Sequence, residues 1–180
     1  MIKYVLIISA LVWALFSCSG TQKQNDNLEQ DTTLTEIEIL NKAIEENPEV
    51  DSLYYNRAMY YLRKNKLDKA MTDISQAIDL NPEKTENYLL LGDVYLAQGN
   101  IENCRKTLLK AFDMDPRNPE PSLKLAELNL FLEDYEKVFL YLNNALEIDE
   151  YNAQAHFMRG YARLEQGDTT NAIVDLQEAT

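Results

Sequence analysis

The same pattern of residues recurs at a fixed interval through most of this chain and constrains its fold more than any other feature. Three evenly spaced prolines mark the interval: Pro48, Pro82 and Pro116. Two apolar columns keep the same spacing, and one of them always holds alanine: Ala43, Ala77, Ala111, Ala145 and Ala179. The other always holds a large aliphatic residue: Leu40, Ile74, Leu108, Leu142 and Leu176. Such self-similarity predicts a stack of similar units, each packed against its neighbours.

Each unit has the apolar spacing of two α-helices. A small residue recurs in the middle of the first helix, where it lets the paired helix approach to about 8 Å; these residues are Ala58, Gly92, Ala126 and Gly160. Gly99 and Gly167 can take the left-handed conformation that ends a helix, and residues that can cap the next helix follow: Asn100, Asp134 and Asp168. The pattern predicts helices over residues 33–46, 51–64, 67–80, 85–98, 101–114, 119–132, 135–148, 153–166 and 169–180. No stretch alternates with a period of two long enough for a strand, so the predicted fold is all-α.

These columns resemble the tetratricopeptide repeat, whose 34-residue unit is a helix, a turn and a second helix. The resemblance covers residues 33–180 and implies a right-handed α-solenoid of antiparallel helix pairs. About four repeats follow one N-terminal helix, over residues 51–84, 85–118, 119–152 and 153–180. Arg57 and Arg159 depart from the pattern, because they occupy a column that holds Leu91 and Leu125 in the middle repeats. The repeats stop at Thr180 without a polar closing helix, so we expect a partner, self-association through this uncapped end, or a truncated chain.

The N-terminus has the layout of a secretory signal. Lys3 precedes an apolar run over residues 4–16 that is shorter than the ~20 residues a membrane-spanning helix needs. The run ends in Leu15-Phe16-Ser17-Cys18, which resembles the lipobox of bacterial lipoproteins. The resemblance implies a signal peptide over residues 1–17, lipid on Cys18, and a flexible polar tether through residue 32. An ordinary secretory leader with a chance cysteine and a retained membrane anchor are the alternatives.

The residue that follows Cys18 indicates in which membrane the lipoprotein would be anchored. In Gram-negative lipoproteins an Asp at that position tends to retain the protein at the inner membrane, and Ser19 stands there in this chain. The resemblance therefore implies an outer-membrane anchor, and the tether composition favours an orientation that faces the periplasm.

The net charge of the chain and its few potentially catalytic side chains limit the functions that the sequence supports. A net charge of −13 disfavours nucleic acid, whose binding requires clustered Lys and Arg, and favours a basic partner. His156 is the only histidine and lies in the column of Tyr54 and Tyr88, which indicates helix packing. Cys104 lies in a column of small residues, which also indicates packing. We therefore predict no catalytic residue, no cofactor and no metal site.

In proteins of this repeat type the first helices line the concave face, which is where partners usually bind. By that resemblance three columns of the first helices are candidate groove residues. The first is Tyr55, Leu89, Leu123 and Phe157; the second is Leu62, Leu96, Leu130 and Leu164; between them lie Met59, Asp93, Glu127 and Tyr161. Such a strip would suit a protein or peptide ligand with apolar and basic side chains. The alternative is that the leucines only cover neighbouring helices.

The leading functional hypothesis is a non-enzymatic lipoprotein scaffold that recruits proteins for secretion, pilus or cell-wall machinery. The second hypothesis is an obligate structural subunit of a single envelope complex. An envelope hydrolase is a third, and the missing catalytic constellation argues against it.

Overall fold

The computed structural model describes residues 34–180. The predicted signal peptide, lipid attachment at Cys18 and tether lie outside the described residues. Over the described range the chain forms nine α-helices and no strand: α1 (Glu36–Glu46), α2 (Asp51–Arg63), α3 (Leu67–Leu80), α4 (Thr85–Ala97), α5 (Ile101–Met114), α6 (Glu120–Phe131), α7 (Tyr135–Ile148), α8 (Ala153–Glu165) and α9 (Thr169–Glu178). The predicted all-α helical repeat is confirmed. None of these helices combines the length and apolar composition that crossing a bilayer requires.

The helices pack as four pairs, α2–α3, α4–α5, α6–α7 and α8–α9, and α1 packs on α2. Within a pair, the small residue of the first helix faces the large aliphatic residue of the second. A Cβ atom added to Gly92 would lie 2.6 Å from a Leu108 methyl carbon, and one added to Gly160 would lie 2.9 Å from Leu176 Cγ. The small column therefore exists because the two helix axes approach closely at this point.

The turns follow the predicted chemistry. Gly99 and Gly167 have φ angles of +73° and +79°, in the left-handed region that glycine tolerates. The side chains of Asn100 and Asp168 each accept a hydrogen bond from the backbone N–H three residues later, as does that of Asp134. These caps satisfy N–H groups that have no partner within the helix.

The repeats curve with the first helices inside. Consecutive first helices contact one another, as α2 does α4, α4 does α6 and α6 does α8. Consecutive second helices make no such contact within residues 34–180; α3, α5 and α7 instead pack against the first helix of the next repeat. The row of first helices therefore forms the concave face.

The first repeat and the last repeat each contain an internal ion pair, at the two positions that depart from the leucine column. Arg57 on α2 donates to both carboxylate oxygens of Asp73 on α3, at 2.7 Å each, and to the Asn41 side chain on α1 at 2.9 Å. One guanidinium thus joins three helices. Bidentate pairs of this kind are among the stronger hydrogen bonds in proteins.

The last repeat carries the same arrangement with one more cation. Arg159 on α8 donates to Asp175 on α9 and to Asn143 on α7, and Arg163 also donates to Asp175, at 2.6 Å. The corresponding residues in the second repeat are Leu91 and Thr107, so there the same contact is not ionic.

Candidate protein-binding face

The first helices present a continuous row of side chains to solvent on the concave side. Each helix contributes three positions, separated by seven and then four residues, which lie on one helical face. We call this row the open stripe: Ser52, Met59, Arg63, Glu86, Asp93, Ala97, Glu120, Glu127, Phe131, Gln154, Tyr161 and Glu165. All twelve side chains are exposed or half-buried.

One predicted groove column is mostly core. Leu89 is 9% exposed and Leu123 only 1%, and Tyr55 is half-buried; Phe157 alone is exposed. Leu123 packs in a cluster with Ala155 and Ala162 of the next first helix. The prediction that Leu89 and Leu123 line the groove is therefore corrected, because their position on the helix turns them toward the following repeat.

The side chains of the second predicted column are also partly buried, but less so than Leu89 and Leu123. Leu62, Leu96 and Leu130 are half-buried and pack against the three core clusters, and Leu164 is exposed. For the inner repeats, the alternative interpretation that these leucines cover neighbouring helices describes the packing better. The residues of the third column, Met59, Asp93, Glu127 and Tyr161, are half-buried or exposed and form part of the open stripe as defined above.

An ion pair joins the second and third repeats within this face. Lys124 on α6 donates to Asp93 on α4 at 2.8 Å and lies 3.5 Å from Glu127. Burial raises the pKa of Asp93 even though the ammonium group opposes that rise. Burial alone would lower the pKa of Lys124, but the hydrogen bond and charge of Asp93, together with the charge of Glu127, raise it overall. The Lys124 ammonium group therefore offsets part of the effect of burial on the Asp93 carboxylate.

The other carboxylates of the open stripe are not matched in this way. Glu86, Glu120 and Glu165 form no ion pair with any residue in 34–180. Arg63, the one basic residue of the stripe, pairs with Glu36 on α1. The charge of Glu165 and its hydrogen bond with the Tyr161 phenol raise the pKa of that phenol. The face is therefore apolar and acidic, and it favours ligands with basic side chains.

Two aromatic side chains offer apolar anchors on this face. Phe131 is 69% exposed and Tyr161 is 43% exposed. At the N-terminal end, Met59 borders a hollow of about 450 Å³ with Ile39 and Leu40. Sequence reasoning misses Phe131, since its column holds Arg63, Ala97 and Glu165 in the other repeats and shows no apolar pattern. The only available signal is its spacing of four residues from Glu127, which places both on one helical face.

His156 and Cys104, the two residues with potentially reactive side chains, take part in helix packing. His156 Nε2 contacts the backbone oxygen of Glu150 at 2.8 Å, and Tyr88 donates to the backbone oxygen of Pro82, also six residues earlier, at 3.0 Å. The two side chains thus serve the same packing position. Cys104 is fully buried, and burial raises the pKa of its thiol to about 11. No group of side chains suited to holding a metal ion occurs among residues 34–180.

Comparison with known families gives two matches. A family profile described as the CadC C-terminal domain matches residues 4–145, and a tetratricopeptide-repeat profile matches residues 153–180. No curated protein matches the chain.

Several solved structures share the fold. The APC/C hetero-tetramer Cut9-Hcn1 gives a TM-score of 0.71 at 19% identity, covering 78% of this chain and 27% of that chain, so this protein spans about a quarter of its length. A thermophilic TPR protein of Thermus thermophilus gives 0.70 at 19% identity, with 78% of each chain covered. YrrB, described as a TPR protein with an unusual peptide-binding site, gives 0.60 at 26% identity, with 78% of this chain and 73% of that chain covered.

Proposed function

Because this chain belongs to the CadC C-terminal domain family and is a tetratricopeptide-repeat protein, we propose that it is a non-enzymatic scaffold of the bacterial envelope that binds a basic, partly apolar protein segment on the open stripe. The observation that carries the proposal is the composition of that face. It combines exposed Phe131 and Tyr161 with carboxylates that have no counter-charge in the described residues. The description of YrrB as a protein with a peptide-binding site gives this interpretation further support.

The ligand chemistry follows from this composition. A bound segment would place apolar side chains against Phe131 and Met59, where water is displaced at little polar cost. Its Lys or Arg side chains would meet Glu86, Glu120 and Glu127 along the middle of the row. Exposed aromatic anchors near the centre of an interface usually carry most of its binding energy.

Photo-crosslinking locates the binding face directly. We expect a benzoylphenylalanine at position 131 to form adducts with an envelope protein in the native cell. Leu140 on α7 is the matched control, because it is 62% exposed, close to the 69% of Phe131, but lies on a second helix. Adducts at position 140 that equal or exceed those at 131 would contradict the proposal. One stoichiometric adduct would favour a subunit of a single complex, whereas many weaker adducts would favour a scaffold.

We propose in addition that Cys18 carries the lipid that anchors this scaffold at the outer membrane, facing the periplasm. The support is the lipobox-like Leu15-Phe16-Ser17-Cys18 and the polar stretch that follows it. Two acyl chains make membrane attachment stable, whereas one gives only marginal binding.

The variant Cys18→Ala tests the anchor. It should release the mature protein into the soluble fraction and remove the acyl mass from the intact protein. Cys104→Ala is the control. Because Cys104 is buried, its replacement should leave the membrane fractionation and the acyl mass unchanged. A Cys18→Ala chain that still fractionates with the membrane and keeps its acyl mass refutes the assignment.

A further inference from the structure

The segment that joins α2 to α3 holds positive charge more densely than any other part of residues 34–180. We call its four exposed cations the basic turn: Arg63, Lys64, Lys66 and Lys69. Arg63 pairs with Glu36 on α1, but the three lysines form no ion pair with any residue in 34–180. An acidic chain therefore presents one local group of ammonium charges that an anionic ligand can reach.

The corresponding turns of the later repeats carry the opposite charge. Residues 63–66 include three basic residues and no acidic one, whereas residues 97–100 include no charged residue. Residues 131–134 and 165–168 include two acidic residues each and no basic one. Each of these turns joins the first and second helix of its repeat, so all four lie along one edge of the solenoid. That edge is basic at the first repeat and acidic at the third and fourth, and an anionic surface would attract only its first-repeat end.

The chain also enters the described domain beside the basic turn. Glu36 is the first residue of α1, and its contact with Arg63 places the start of α1 next to the end of α2. Residues 19–33 separate Cys18 from Leu34, and even fully extended they would span at most about 54 Å. A lipid on Cys18, as proposed above, would therefore keep the basic turn within reach of the bilayer surface.

Two tyrosines underlie the lysines. The Lys64 ammonium nitrogen lies 5.8 Å from the centre of the Tyr60 ring, and that of Lys69 lies 5.5 Å from the centre of the Tyr61 ring. Both tyrosines are half-buried. Tyrosine is enriched at the headgroup level of membranes, where its ring and hydroxyl meet apolar and polar surroundings. The combination of tyrosine rings and ammonium groups therefore suits phospholipid headgroups.

The negative charge of the whole chain does not cancel this local attraction. Around the basic turn, four cations face two carboxylates, Glu36 and Asp68. Neighbouring helices pack about 8–10 Å apart, so the acidic turn of the third repeat is about two such spacings away. Salt screens charges over about 8 Å at physiological ionic strength. A lysine close to an anionic bilayer strengthens binding about fivefold, so three unpaired lysines suffice to orient a chain that lipid already holds there.

We propose that the basic turn binds the anionic phospholipid headgroups of the membrane to which Cys18 anchors the chain. The first repeat then lies against the bilayer, and the acidic end of the same edge points away from it. This inference rests on the proposed lipid anchor, and the two can be tested separately.

Positions 65 and 133 provide matched reporters of distance from the bilayer. Both are exposed, both lie in the turn between the helices of their repeat, and their φ angles are 54° and 57°. In a Cys104→Ala background, a fluorophore is attached to Asn65→Cys or Glu133→Cys of the full chain extracted from membranes. The chain is reconstituted into phosphatidylcholine vesicles with or without phosphatidylglycerol. A nitroxide on the lipid headgroup quenches a fluorophore that lies close to the surface.

In vesicles with phosphatidylglycerol, we expect quenching at 65 to exceed that at 133 at least about twofold, and high salt should remove the excess. Reversal of the three lysines should also remove it, while reversal of three exposed cations of the second repeat should not. The first variant is Lys64→Glu, Lys66→Glu and Lys69→Glu, and its control is Lys106→Glu, Lys110→Glu and Arg117→Glu. Both variants should keep the helical circular dichroism.

The lipid tether alone would quench position 65 equally in both kinds of vesicle. Quenching at 65 that does not rise with phosphatidylglycerol therefore overturns the proposal, as does equal quenching at 65 and 133 or an excess that survives lysine reversal. An acidic protein as the true ligand of the basic turn would give the first of these results. Flotation with phosphatidylcholine vesicles tests the anchor by itself. If the chain does not float, the same labels in a Cys18→Ser chain added to excess vesicles still test the basic turn.

Discussion

Asp175→Ala is expected to lower the free energy of unfolding by about 3 kcal/mol or more, because it leaves two guanidinium groups without a counter-charge in a partly dry site. The Asp175 side chain is 2% exposed and accepts hydrogen bonds from Arg159 and Arg163. Those two side chains are 18% and 27% exposed, so water can replace the lost partner only in part. Since each repeat contacts only its neighbours, the loss should concentrate in α8 and α9. Urea unfolding measures the total effect, and hydrogen exchange measures its location.

The first repeat provides the control. Asp73→Ala should also destabilise the chain, through Arg57, and the further change Arg57→Leu with Asp73→Thr recreates the residues of the second repeat, Leu91 and Thr107. That double variant should recover most of the lost stability, because apolar replacement of a whole buried ion pair is often neutral. Costs below about 1 kcal/mol for both alanine variants would show that these ion pairs do not hold the repeats together.

These ion pairs also show where sequence reasoning stops. Arg57 and Arg159 are visible as departures from a leucine column, but their partners lie 16 residues later, in a different column. Asp73 and Asp175 accompany the two arginines, whereas Thr107 and Tyr141 stand at that position in the repeats with leucine. The ionic contact is identified only when the residue in the arginine column and the residue in the aspartate column are compared within each repeat. The helices themselves are predicted to within a few residues, because the period fixes every turn at once.

The binding face is harder to predict than the fold for a physical reason. Leu89 and Leu123 stand in a column that is apolar in every repeat, and both pack against the next first helix. Columns that face solvent need not be uniform, and the one beginning at Ser52 continues with Glu86 and Glu120. In a solenoid, a uniformly apolar column therefore indicates packing between repeats more than ligand contact. The contact of Lys124 with Asp93, 31 residues apart, depends on the stacking of repeats and leaves no sequence signal.

Reversal of charge on the open stripe is expected to weaken partner binding roughly 100-fold, since three reversed charges each remove about 1 kcal/mol of attraction at contact distance in water. The variant is Glu86→Lys, Glu120→Lys and Glu127→Lys. Two of these residues lie in the first turns of α4 and α6, and the third pairs with a lysine on its own helix. All three are exposed, so the fold should persist, with small losses where the helix dipole is no longer offset.

The matched control is Glu102→Lys, Asp113→Lys and Glu136→Lys on the second helices. These residues are exposed, two of them lie in first turns, and Glu102 pairs with Lys106. Both variants therefore change the net charge by the same amount and lose similar local contacts. Any difference between them reports the position of the charges and not their number.

The two variants are compared most directly by capturing envelope proteins on the immobilised full chain and quantifying them by mass spectrometry. Circular dichroism of each variant reports whether it is folded. The open-stripe variant should stay helical and lose the captured partner, while the control variant keeps it and salt weakens wild-type capture. Equal capture by wild type and the folded open-stripe variant, or equal loss in both variants, would contradict the claim that the concave acidic face of the first helices is the binding surface.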